Sequence, residues 1–147
     1  MKHYYSYENF KKDTYKLISK VRNFEPEAII SVARGGFTLS HSMAEGLNIR
    51  DVQSIRTELY DKESKREELS FFGECELEDI KRAIVVDDIA DSGATLDFII
   101  NYLKKNFPKV EFKSCTLFYK KTSMYEPDFW INEANSWIDF FWEKDFR

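Results

Sequence analysis

The stretch Ile84-Val85-Val86-Asp87-Asp88-Ile89-Ala90-Asp91-Ser92-Gly93-Ala94-Thr95-Leu96 decides the fold. It opens on three β-branched apolar residues, the pattern of a strand covered on both faces in a parallel sheet. Two acids follow at once. A small-residue loop then leads into a segment whose apolar positions, Leu96, Ile99, Ile100, Leu103 and Phe107, recur at helical spacing. Strand, loop and helix in this order put the loop at a helix N-terminus. Its backbone N–H groups lack intrahelical acceptors there, and the helix dipole favours an anion. The hydroxyls of Ser92 and Thr95 add side-chain donors, and Gly93 and Ala94 leave room for a phosphate against the backbone. An ordinary N-cap at Asp91 or Ser92 would read the same way if the loop stood alone. The acid pair argues for more. Side-by-side carboxylates repel, which a structural turn has no need to bear, and neighbours on an extended strand point to opposite faces. One can hold a diol while the other orients a metal or a basic group.

A second apolar run, Ala28-Ile29-Ile30-Ser31-Val32, leads into Ala33-Arg34-Gly35-Gly36. A glycine pair frees backbone amides to form an anion nest, and the arginine supplies a fixed positive charge. A plain strand-to-helix turn is the simpler alternative for an isolated Arg-Gly-Gly. Ligands of open α/β sheets bind at the carboxyl ends of strands, so the two loops are expected to face one crevice.

Further out, Phe10, Thr14, Leu17, Ile18 and Val21 predict a helix over 7–22. Leu39, Met43 and Leu47 predict another, broken by Gly46 and Asn48. Residues 51–59 alternate as a strand. The run 60–73 is densely charged and reads as a solvated loop, long enough to act as a mobile lid. A strand near 110–119 follows, and an aromatic segment, 129–142, has room for one or two more. The fold class expected is α/β, an open, mainly parallel sheet flanked by helices. The 147 residues suit a single domain, with a core over about 25–120 and a C-terminal segment over about 121–147.

Composition narrows the function. With 26 acids against 22 bases the net charge is −4, so no phosphate-tracking basic surface is implied and nucleic acid is an unexpected partner. No apolar run approaches the roughly 18 residues of a membrane span. Cys75 and Cys115, 40 positions apart, read as free thiols of a cytoplasmic protein. His3 and His41 stand apart from any nucleophile or metal-ligand constellation, which disfavours histidine-based hydrolysis. The aromatic share, 16%, suits extra core, a subunit interface or base stacking.

The string from Ile84 to Leu96 resembles the signature of the type I phosphoribosyltransferases: apolar strand, two acids, two small or apolar residues, Asp, a hydroxyl, Gly, a small residue, Thr. The resemblance implies an enzyme that takes phosphoribosyl pyrophosphate (PRPP) with Mg2+. It puts the 5′-phosphate on Ser92, Gly93, Ala94 and Thr95. Asp87 and Asp88 serve the ribose hydroxyls, and the metal is shared with Asp88. Asp91 is placed beside the incoming base as the catalytic acid–base group. Arg34, Gly35 and Gly36 take the pyrophosphate end, and a strained or cis peptide is expected at Ala33–Arg34.

Ile29 to Arg50, Tyr60-Asp61 with Arg66 five residues on, and Trp137-Ile138 are similar to the bacterial xanthine-guanine branch. This implies that Arg66 reaches pyrophosphate from the closed lid and that Lys120 donates to a purine 6-oxo group. Trp137 and Ile138 would line the base, and the chain would form a dimer or tetramer. Lys120-Lys121-Thr122-Ser123 stands where that branch has Lys followed by Pro and small residues, so either lysine fits the base contact. The tail from Asp139 to Asp145 lacks the branch's proline and is more aromatic. The other functions weighed are a regulator that senses PRPP and a transferase for a non-purine acceptor.

Overall fold

The computed structural model describes residues 2–61 and 67–147, with backbone alone over 59–72 within that range. Its elements run β1 (Lys2–Tyr5), α1 (Tyr7–Arg22), β2 (Ala28–Val32), α2 (Phe37–Leu47), β3 (Val52–Asp61), β4 (Glu67–Phe72) and β5 (Arg82–Val86). They continue with β6 (Ile89–Ala90), α3 (Ala94–Asn106), β7 (Glu111–Tyr119), β8 (Phe129–Glu133), β9 (Trp137–Phe140) and α4 (Phe141–Lys144).

The main sheet has the spatial order β4-β3-β2-β5-β7, with β8 on the far edge of β7. All its pairs are parallel except β3–β4, as expected for an open α/β sheet. The chain leaves β2 for β3 on one side, whereas β5 leads to β7 on the other. The crevice between the carboxyl ends of β2 and β5 is therefore the switch point of the topology. Residue alternation divides the core between the two faces. Ile29, Ile84, Val86, Cys115 and Leu117 pack with Leu17, Val21, Leu39 and Met43 of α1 and α2. Ile30, Val32, Val85 and Phe112 pack with Leu96, Ile99 and Leu103 of α3. Cys75 and Cys115 are both unpaired. Among the described residues no helix is long and apolar enough to cross a membrane.

Four local readings need correction. Gly46 does not break α2; the helix runs to Leu47 and ends on Asn48 in the left-handed conformation (φ 54°). A Cβ at Gly46 would collide with the Ile18 side chain, so this glycine serves the close approach of α1 to α2. The charged run is no loop at its ends. Residues 60–61 and 67–72 belong to β3 and β4, because a backbone ladder tolerates charged side chains at a sheet edge. The lid expected over 60–73, and Arg66 with it, falls at its centre outside the described residues. The N-terminal β1 was not anticipated; it pairs in parallel with β9, Lys2 against Trp137 through Tyr5 against Phe140. The acid pair also interrupts a strand rather than ending one. Val86 opposes Cys115 and Ile89 opposes Phe118, the same offset of 29, so β6 resumes the ladder of β5 in register.

Candidate active site

In that interruption the Asp88 carbonyl accepts from the amides of Leu117 (3.0 Å) and Phe118 (3.2 Å), and Asp87 N–H donates to Cys115 O (3.2 Å). The two acids stay in contact, Asp88 N–H donating to Asp87 Oδ1 (2.8 Å), yet each lines a different recess. Asp87 lines a small hollow of about 100 Å3 with Ser92, Gly93 and Thr95. Asp88 lines a cleft of about 540 Å3 with Asp91, Lys120, Trp137, Ile138, Glu143 and Arg147. Asp88 is 8% exposed and Asp87 half-buried. Among the described residues no Lys or Arg pairs with either. Burial, then the charge of Asp88, holds Asp87 well above the usual carboxylate range. Burial, with a further push from Glu143, raises Asp88 to about 6.

The Arg-Gly-Gly loop closes over the same acids. A Cβ on Gly35 would stand 2.5 Å from Asp88 Oδ2, so the loop backbone rests on that carboxylate. A Cβ on Gly36 would stand 2.5 Å from Val86 O and 2.8 Å from Val32 O, wedged between the two central strands. The peptide Ala33–Arg34 is cis, at the bond the resemblance singled out. The Arg34 side chain is exposed.

At the head of α3 the N-cap position is Gly93 (φ 83°), with no side-chain cap; Ser92 Oγ accepts instead from Ala94 N–H (3.2 Å). The segment after β7 folds back onto this turn. Met124 N–H donates to Ser92 O (2.8 Å), and a Cβ on Gly93 would collide with Ser123 Oγ. Gly93 is thus required twice, by its positive φ and by this close approach.

Across the cleft, Lys120 Nζ lies 3.5 Å from Asp91 Oδ1. Lys121 turns away to Glu133 Oε2, also at 3.5 Å, so the structure separates two lysines that the sequence left equivalent. Ile138 is 7% exposed and lines the cleft from the core side. Trp137 is 63% exposed, with its indole N–H on Asp139 Oδ1 (3.1 Å). Asn135, Ser136, Glu143 and Arg147 also line the cleft. No sequence reading singled these out, because nothing in their spacing marks them; only the return of the C-terminal segment brings them in.

The donor set suits a hard divalent cation. Asp88 is buried and Asp87 half-buried; among the described residues neither has a Lys or Arg countercharge, and no group of three acids, histidines or cysteines converges. Mg2+ needs one or two carboxylates, with water and substrate phosphates completing its shell.

Residues 2–146 match the model of the phosphoribosyl transferase domain family. A xanthine-guanine phosphoribosyltransferase of Idiomarina loihiensis is 31% identical over 120 residues, 80% of this chain and 71% of that protein. The structure resembles that of a Helicobacter pylori xanthine-guanine-hypoxanthine phosphoribosyltransferase (36% identity, TM-score 0.92, 99% of this chain and 96% of the other). It also resembles a purine phosphoribosyltransferase of Pyrococcus horikoshii (28% identity, TM-score 0.88, 97% and 94%).

Proposed function

This chain belongs to the phosphoribosyltransferase family, and from that premise we propose that it transfers the 5-phosphoribosyl group of PRPP to a 6-oxopurine, releasing pyrophosphate. The observation that carries the choice of base is the Lys120–Asp91 pair in the cleft. A 6-oxopurine presents an acceptor, O6, beside a protonated ring nitrogen, N7. A cationic donor next to an anionic acceptor complements that edge, whereas the 6-amino group of adenine would meet the lysine donor with a donor. The named relatives from Idiomarina and Helicobacter, which act on such bases, support the same reading.

In this reading the amides of residues 92–95 and the Ser92 and Thr95 hydroxyls hold the 5′-phosphate. Asp87 and Asp88 bind the ribose diol as an adjacent pair. Arg34 and the Gly35-Gly36 backbone receive pyrophosphate, and Arg66 joins them. Asp88 is the carboxylate that holds Mg2+, which when bound neutralises charge developing on the departing pyrophosphate. The base nitrogen bonds to the anomeric carbon as the bond to pyrophosphate breaks and the leaving group departs with the electron pair. Asp91 takes up the N7 proton. Ile138 and the backbone of Trp137 border the ring. Residues 121–147 thus supply the base side of a single catalytic domain. The exposed Tyr7, Tyr15 and Phe37 support contact between identical chains in a dimer or tetramer, and two unpaired thiols suit a cytoplasmic setting.

Incubation with PRPP, Mg2+ and, separately, guanine, xanthine, hypoxanthine, adenine, uracil and orotate tests the reading by nucleotide and pyrophosphate release. Turnover is expected with 6-oxopurines alone. Turnover confined to a pyrimidine overturns the base assignment, and tight PRPP binding without turnover on any base establishes a PRPP-sensing regulator instead.

A further inference from the structure

The wall that faces Lys120 and Asp91, residues 134–138, is tied to the main sheet at its start, where Ala134 N–H donates to Tyr119 O (2.9 Å). Its strand, β9, pairs among the described residues only with β1. Asn135, Ser136 and Ile138 line the cleft and also a second recess of about 380 Å3, which reaches Tyr5, Asp13 and Asn132. Ala134 and Ile138 anchor the wall in the core, each 7% exposed, but Asn135 and Ser136 between them border open space on both sides, so close packing alone does not position that stretch. β1 in turn is exposed at Lys2, His3 and Tyr4, and Tyr5 is its buried residue.

Tyr5 is held in a specific way. Its hydroxyl donates to Asp13 Oδ2 at 2.7 Å, and Asn132 Nδ2 donates to the same oxygen at 2.8 Å and to Leu117 O at 3.2 Å. Asp13 lies on α1 and is 5% exposed; Asn132 lies on β8, two residues before the wall begins. One carboxylate oxygen therefore ties together β1, α1 and β8. Asp13 forms no ion pair among the described residues, so its charge depends on these two neutral donors. Burial and the Asp13 hydrogen bond push the Tyr5 phenol far up, which keeps it a donor at any ordinary pH. The Tyr5 ring meets Phe118 (4.9 Å) of β7 and Phe140 (5.9 Å) of β9 edge-on, and so joins the constraint to the main sheet and to the strand of the wall.

We propose that Tyr5, Asp13 and Asn132 are positioning residues that set the base side of the cleft by fixing β1, and through it β9, against the body of the domain. None touches the reacting atoms. The proposal rests on the base-binding reading above. Tyr5→Phe keeps the ring and removes the tie, so KM for the 6-oxopurine should rise about tenfold, the worth of one charge-assisted hydrogen bond. KM for PRPP should stay within about twofold, since the PRPP loops sit at β2 and β5. Asp13→Ala should do the same, and Asp13→Asn, which keeps a carbonyl acceptor for both donors, should restore most of the loss. Hydrogen–deuterium exchange should quicken at 134–140 in Tyr5→Phe and stay unchanged over 28–32 and 82–86. Unchanged exchange at 134–140 overturns the proposal, as does a rise of both KM values together with exchange throughout the sheet. If the wild-type protein transfers to no 6-oxopurine, the functional reading fails, while the exchange comparison still judges the triad.

Discussion

Lys120 Nζ and Asp91 Oδ1 stand 3.5 Å apart at the mouth of the cleft, both side chains more than half exposed. An ion pair so exposed contributes about 0–1 kcal/mol to stability, so an incoming ligand separates it at small cost. Lys120→Ala should therefore leave the melting temperature within a degree or two, yet lower kcat/KM for a 6-oxopurine about 100-fold. Lys121→Ala should be near wild type, because that lysine serves Glu133. Steady-state kinetics on the two variants decides the matter: equal losses would remove Lys120 from the base site.

Asp91→Asn isolates the proton-transfer role. The amide keeps the size and one acceptor but cannot take a proton, so turnover should fall about 100- to 10,000-fold with little change in PRPP affinity. Among the described residues the Asp91 carboxylate contacts Lys120, and that exposed pair is weak, so the substitution disturbs little in the free protein. Wild-type kcat in Asp91→Asn would exclude it as the base.

The two glycines of the Arg-Gly-Gly loop should fail differently. A methyl at Gly35 meets the end of a side chain, Asp88, which can turn away at the expense of its ligands. Gly35→Ala should fold and lose PRPP affinity, about tenfold or more, by calorimetric titration with Mg2+. A methyl at Gly36 meets the carbonyls of Val86 and Val32, neither able to move without parting β2 from β5. Gly36→Ala should lower the melting temperature markedly, by several kcal/mol of lost stability. Indistinguishable melting curves for the two variants would count against this division.

How much of this was legible beforehand follows from the range of the forces involved. β2, β5 and α3 show in sequence because burial on both faces of a sheet leaves long apolar runs, and both loops show because anion binding at a helix N-terminus needs small residues in order. The β1–β9 pair left no such trace: β1 is four residues long and mostly exposed, and its partner lies more than 130 residues away. Sequence separation likewise hid Glu143 and Arg147, whose place in the cleft depends on how the C-terminal segment returns. Local pattern carries no information on that return. Lys120 and Lys121 could not be ranked either, since their directions depend on partners, Asp91 and Glu133, contributed by other elements.

The buried acid pair makes stability depend on pH in a direction opposite to that of most carboxylates. Burial and mutual repulsion raise Asp87, and burial raises Asp88 to about 6, against about 4 for an aspartate in an unfolded chain. Above about 4 the folded protein binds more protons than the unfolded one, so the contribution of Asp88 to stability falls as pH rises from about 4 through about 6, and that of Asp87 goes on falling at higher pH. In EDTA the wild-type melting temperature should therefore drop across that range relative to Asp88→Asn, which has one ionisable group fewer and no partner charge for Asp87. Carboxylates held low elsewhere, such as Glu27 under its bonds from the Lys81 and Arg82 amides, act in the other sense in both proteins and cancel in the comparison. Millimolar Mg2+ at pH 7 should recover the deficit in the wild type, because a cation favours the ionised pair, and should do nothing at pH 4, where protons already hold the site. Scanning calorimetry of the two proteins with and without metal reads all four arms. Parallel pH profiles in EDTA would mean that the two carboxylates do not share the strain of burial. A metal effect that persists in Asp88→Asn would move the cation to another ligand.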